Sequence, residues 1–180
     1  TLIEHPYLVA KHVTVNNCYE NRGSIIVPML DENFQLANYQ TISQSGTKMF
    51  APGGRVSGCF FVLQTSATSN KIYFAEGLAT AASIARAVPD AGIVVCFNAG
   101  NMHKVVQVFT EKYPDYEFHY CADNDQFTLR QGKPYNPGVE AAMRCQQIHA
   151  GTVHVPQFEQ HHFDQKPTDW NDFCTLYGVE

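Results

Sequence analysis

The chain has 180 residues, 44% of them hydrophobic and 16% charged, enough material for one domain or two closely packed subdomains with a sizeable core. A net charge of −5 excludes binding to nucleic acid through a broadly basic surface, though a local basic path remains compatible with it. No apolar stretch is long enough to cross a bilayer, no signal-peptide pattern opens the chain, and no membrane partner is expected. The six cysteines (Cys18, Cys59, Cys96, Cys121, Cys145, Cys174) form no CxxC pair. This argues against a zinc knuckle and fits small buried hydrophobes in a reducing cytoplasm.

Residues 24–65 read as hairpins. "SIIVPML" runs into the turn-rich "DEN", then "FQLANYQTIS", the turn "QSGT", "KMFAPGG" and the apolar "CFFVLQT". Short β-prone runs between Gly, Asn, Asp and Ser clusters predict a small, mixed, mostly antiparallel sheet over residues 1–66. The polar "SATSN" (66–70) is a linker or loop.

From residue 67 to 180 the rhythm changes. "KIYFAE" is a short apolar strand, "GLATAASIARAV" an Ala-rich helix, "GIVVCFNAG" a strand, and "NMHKVVQVFTEKY" a helix ended by Pro114. "YEFHYCADND" is a third strand, "GVEAAMRCQQIHA" a helix and "TVHVPQ" a fourth strand. Strands alternating with helices predict an α/β fold, a parallel sheet with helices on both faces. Strands that are apolar throughout fit burial from both sides. The pair His161–His162 has no companion at ligand spacing and reads as a surface loop.

Open parallel sheets collect function at the carboxyl ends of their strands. Here those ends carry Glu76 followed by Gly77, then Asp123 and Asp125, and, after a polar loop, Asp169, Asn171 and Asp172. Positions i and i+2 of a strand share a side, so Asp123 and Asp125 can converge, and two close carboxylates repel unless a cation lies between them. Hard oxygen ligands suit Mg²⁺ or Mn²⁺. Each acid also has a plainer explanation: a solvated turn for Asp123 and Asp125, a helix-start charge for Glu76, a helix cap for Asp169.

"YFAEGLATAASI", "VVCFNAGNM", "CADND" and "TDWNDF", in this order, resemble a Toprim domain. The "GTKMFAPGG" context is similar to DnaG-like DNA primases of phages, plasmids and mobile elements, including primase–helicase fusions. The resemblance implies metal-dependent nucleotidyl transfer that makes short RNA primers on single-stranded DNA from NTPs. It gives Glu76, Asp123 and Asp125 catalytic roles and makes Glu76, Asp123, Asp125, Asp169 and Asp172 metal ligands. Lys48, Arg55, Gly77 and Asn101 are expected at nucleotide or DNA, with Asn101 alternatively a helix cap. Zinc-binding and helicase modules are expected as fused or associated partners. Two departures stand out: "GLATAAS" lacks the acid that cellular relatives carry on this helix, and Asn171 replaces a second carboxylate. A Toprim nuclease and a non-catalytic binding module are the alternatives.

Overall fold

A computed structural model describes residues 4–179. Its first layer is an antiparallel sheet in the order β1 (Tyr19–Asn21), β2 (Ser24–Leu30), β3 (Leu36–Ser43), β4 (Lys48–Phe50), preceded by the short helix α1 (Pro6–Ala10). Strand β2 alternates: Ile25, Val27 and Met29 are fully buried while their neighbours are half-exposed, the signature of a sheet with one covered face.

The second layer is a five-stranded sheet of β5 (Phe61–Gln64), β6 (Lys71–Ala75), β7 (Gly92–Val95), β8 (Glu117–Cys121) and β11 (Thr152–His154). Its spatial order is β11-β8-β6-β7-β5. The last four strands in chain order are mutually parallel, whereas β5 runs antiparallel along β7 at the edge. The expectation that "CFFVLQT" belongs to the hairpins is therefore corrected. Phe60 and Val62 face one core and Phe61 and Leu63 the other, so the segment needs cover on both sides, which the second sheet supplies. Among the described residues a single bridge, Leu30 to Phe60, joins it to the first layer.

Helices α2 (Leu78–Ala87), α3 (Ala99–Lys112), α4 (Pro137–His149) and α5 (Trp170–Tyr177) complete the fold, with a 3₁₀ turn at Gln160–Gln165 that carries His161 and His162. Ile72 and Phe74 of β6, Val94 of β7, and Phe118 and Tyr120 of β8 pack with Met102, Val105, Val106 and Phe109 of α3 and Ala142 and Cys145 of α4. Ala75, Ile93, Val95 and Cys121 pack on the opposite side with α2, Trp170 of α5 and the inner face of the antiparallel sheet. Helices thus cover both faces, as the alternating pattern predicts. The observed strands are shorter than the apolar runs suggest: β7 stops at Val95 and β8 at Cys121, so all the strand-end acids stand beyond their strands. Among the described residues no helix is long and apolar enough to cross a membrane.

Candidate functional site

The carboxyl edge of the parallel strands gathers the acids. Glu76 follows β6, and Gly77 is the N-cap of α2. Asp123 and Asp125 follow β8, and the intervening Asn124 is buried. Its Nδ2 donates to Pro156 O at 2.9 Å, and its Oδ1 accepts from Nδ2 of Asn136 at 2.8 Å. Asn136 also caps α4, ahead of Pro137 at the helix's first position, and its Oδ1 accepts from the backbone N–H of Asp125 at 3.0 Å. The N–H of Gly138 donates to Oδ2 of Asp125 at 3.0 Å. A Cβ at Gly138 would collide with the carbonyl of Asp123, so only glycine lets α4 approach this loop so closely. Neither Asn136 nor Gly138 drew attention in the sequence, although Asn-Pro-Gly is a helix-start signature that could have found them.

Asp169 caps α5 in a capping box: its Oδ1 accepts from the N–H of Asp172 at 2.8 Å, and the Asp172 carboxylate reaches back to the N–H groups of Asp169 and Thr168. Asp172 also lies 3.7 Å from Nζ of Lys11. Asp169 is both cap and member of the acid cluster, because its charge acts on Glu76 and Asp123. Asp172 sits to the side, facing Lys11.

The acids act on one another electrostatically. Burial, then the charge of Asp125, pushes the Glu76 carboxyl up to about 7. Burial, then Glu76, Asp169 and Asp125, pushes Asp123 up to about 9. Burial and Asp172 raise Asp169 as well. The positive charge of Lys48 opposes the shifts at both Glu76 and Asp123. Its ammonium lies over Gly77, where an added Cβ would be 3.3 Å from Nζ. A cavity of about 480 Å³ opens beside this point, lined in part by Lys11, Ser45, Lys48, Thr80, Asp169 and Asp172. Lys11, Ser45 and Thr80 carry no motif and were missed from sequence.

The other two expected contacts go elsewhere. Arg55 is held 2.6 Å from Glu32 and donates from Nε to Ser57 O, away from the acids. Asn101 is buried, and its amide is spent on backbone: Oδ1 accepts from Gly58 N–H at 2.7 Å, and Nδ2 donates to Cys59 O and Cys96 O at 2.8 and 2.9 Å. The helix cap expected of Asn101 is provided by Asn98, because α3 begins two residues earlier than the sequence suggests.

Oε1 of Glu76 and Oδ1 of Asp123 are buried and accept no hydrogen bond. Orphaned carboxylate oxygens cost free energy unless something electropositive meets them, and a hard divalent cation fits such a donor set. Among the described residues no three acidic, histidine or cysteine side chains are already arranged around one point. Asp125 and Asp169 each turn one oxygen onto a backbone N–H, of Gly138 and Asp172, which leaves one oxygen of each carboxylate for an ion.

A parallel-rich sheet with helices on both faces, carrying a Glu-Gly and an Asp-x-Asp at adjacent strand ends, defines a Toprim-type α/β domain. The Toprim domain family model matches residues 71–180, and the chain belongs to that family. Over 161 residues it is 32% identical to DNA primase TraC of Escherichia coli, covering 85% of this chain and 15% of that protein. A second Escherichia coli DNA primase TraC is 31% identical over 160 residues, 85% of this chain and 11% of the relative. The chain therefore spans about one seventh or less of these curated relatives. The primase fragment of the bacteriophage T7 primase-helicase protein shares the fold, with a TM-score of 0.59 and 15% identity over 91% of this chain and 63% of that one. So does the DnaG primase catalytic domain bound to single-stranded DNA, with a TM-score of 0.56 and 13% identity over 95% and 54%.

Proposed function

We propose that this chain is the catalytic core of a DNA primase, joining NTPs into short RNA primers on a single-stranded DNA template. One observation carries the reading: two adjacent strand ends bring Glu76, Asp123 and Asp125 close enough for their charges to act on one another, and there two buried carboxylate oxygens lack a partner. The homology to primases narrows a chemistry that the acids alone would share with nucleases.

Glu76, Asp123 and Asp125, with Asp169 at the flank, would hold Mg²⁺ or Mn²⁺. When bound, such an ion stabilises the negative charge that develops on the oxygens of a transferring phosphoryl group. Glu76 would accept the proton of an attacking 3′-hydroxyl; burial and neighbouring charge raise its proton affinity toward neutrality in the metal-free chain. Lys48 supplies the positive charge that holds an NTP phosphate against the start of α2, and Gly77 leaves room for it. Asn101 serves by fixing the Gly58–Cys59 segment to the end of β7, and Arg55 by tying that segment to Glu32. Zinc-binding and helicase modules would act alongside this core in a longer protein. Its cysteines, all free, fit work in the reducing cytoplasm.

Incubation with labelled NTPs, single-stranded DNA and Mg²⁺ or Mn²⁺ tests the proposal. Template-dependent oligonucleotides that disappear in Asp123→Asn support it. Shortened DNA instead would identify a nuclease, and DNA binding without either product a non-catalytic module.

A further inference from the structure

Between Asp125 and α4 the chain makes a detour. Residues 126–136, "QFTLRQGKPYN", carry two cations and no acid in a protein whose net charge is −5. They fold into a small hairpin, β9 (Leu129–Arg130) against β10 (Lys133–Pro134), with Arg130 opposite Lys133. The turn is Gln131-Gly132, with φ of 52° and 75°, the left-handed pair that a tight two-residue hairpin requires. A non-glycine residue held at positive φ marks a built turn rather than a slack loop.

Both ends of the hairpin are tied to the acid site. The N–H of Thr128 donates to Asp125 O at 2.9 Å, that of Tyr135 donates to Thr128 O, and Asn136 accepts from Asp125 N–H. Phe127 meets Phe163 edge-on at 5.4 Å, which anchors the base against the 3₁₀ turn. Beyond that base everything from Thr128 to Pro134 is exposed, including Leu129 at 66%. Among the described residues neither Arg130 nor Lys133 has an acidic partner; Arg130 lies over the Tyr135 ring, 5.3 Å from its centroid, which stiffens it without neutralising it. At about 3.3 Å per strand residue, the hairpin carries its cations roughly 10 Å outward from Asp125.

We propose that this hairpin is a clamp for the sugar–phosphate backbone of the single-stranded DNA template, with Arg130 and Lys133 each meeting a phosphate as the strand passes the acid site. The inference rests on the primase reading above and assigns a strand-binding element to it. A hydrophobic protein partner would leave two unpaired cations to be desolvated, whereas a polyanion matches them. DNA is favoured over the RNA product because a template must be held before any primer exists.

Fluorescence anisotropy of the full chain with a labelled single-stranded DNA, and with an RNA of the same sequence, tests this in Mg²⁺ buffer at several salt concentrations. Each lost phosphate contact should lower the slope of log affinity against log salt by about 0.7. The double variant R130Q/K133Q should therefore lose about 1.4 from that slope and bind DNA on the order of tenfold more weakly near 0.1 M salt. Arg130→Lys should keep the wild-type slope, which a merely structural guanidinium would not. Equal affinity and slope in wild type and double variant would overturn the clamp, as would a wild-type chain that binds no DNA, or a loss confined to RNA. The primase reading fails separately, on absence of primer synthesis by the wild type, so a double variant that binds DNA normally refutes the clamp alone.

Discussion

The ammonium of Lys48 occupies the space beside Gly77 that a side chain would need: a Cβ built on Gly77 lies 3.3 Å from Nζ and 3.8 Å from Oγ1 of Thr80. The backbone of Gly77 is extended, at φ −112°, and any residue can adopt it. Glycine matters here for the closeness of a cation to Glu76. Gly77→Ala should fold, losing about 1 kcal/mol or less at this cap position. It should displace the ammonium and lower primer synthesis on the order of tenfold, as misplaced binding groups do. Thermal melting set beside initial rates checks this, and equal small changes in both would make the glycine a simple cap.

Gly138 makes the same demand of backbone, which cannot step aside. A methyl there would run into the carbonyl of Asp123. Gly138→Ala should therefore cost about 1–3 kcal/mol, the range for forced overpacking, and shift the Asp123–Asp125 loop. Denaturant unfolding would measure the cost. The accompanying loss of any metal-induced rise in melting temperature would show that the loop had moved.

Strand–helix alternation was legible because strands covered on both faces are apolar throughout, and because Pro114 punctuates the chain. The place of β5 was not, since a short run buried on both sides has the same composition in a hairpin or at a sheet edge. Asp123 and Asp125 stand beyond one strand end at a two-residue spacing, and the charge of Asp125 acts on Asp123. Lys48 and Arg55 were indistinguishable by type. The difference lies in Glu32, which claims Arg55 through a fold contact across 23 positions that no local pattern encodes. Asn101 was misread for a related reason: its three backbone partners come from segments that meet only after the sheet forms.

Asn101 should thus behave as a structural residue. Asn101→Ala would strand a buried N–H and two buried carbonyls at a cost of about 2–4 kcal/mol, and Asn101→Asp should be at least as damaging, because it replaces a donor with a charge facing two carbonyl oxygens. Chemical denaturation checks the magnitude. The metal-induced stabilisation should survive in either variant from its lowered starting point; its loss would return Asn101 to the ligand site.

The acid cluster predicts an unusual pH dependence for the metal-free protein. Glu76 and Asp123 bind protons more tightly folded than unfolded, with folded values of about 7 and about 9 against ordinary ones of 4.5 and 3.8. Between those limits the native state holds more protons, so stability falls as pH rises. The contribution is fully present below about pH 4 and is lost as pH climbs through about 7 and then 9. Melting in chelator from about pH 5 to pH 8 should show a declining midpoint, steeper in the wild type than in Asp123→Asn. A flat or rising wild-type profile would mean that the carboxylates are solvated separately.

Metal should remove that strain. An ion that binds only the folded state stabilises by RT ln(1 + [L]/Kd), and a Mg²⁺ site that keeps several waters is expected to have a Kd on the order of 1 mM. At about 10 mM Mg²⁺ the gain is then roughly 1.4 kcal/mol, which raises the melting temperature of a chain this size by about 4 °C. Mn²⁺ should do at least as well, being the better ligand acceptor of the two. Asp123→Asn removes a carboxylate that at about pH 8 must take up a proton to enter the metal-free fold, so that form should melt higher than the wild type, and it should lose most of the response to either ion. Glu76→Gln should behave alike, because Oε1 of Glu76, like Oδ1 of Asp123, is buried without a hydrogen-bond partner. Asp172→Asn, by contrast, should leave the metal response near wild type, since that carboxylate is occupied by Lys11 and the start of α5. A wild-type melting curve indifferent to both ions would leave Asp123 and Asp125 as loop residues and remove the basis for metal-dependent transfer at this site.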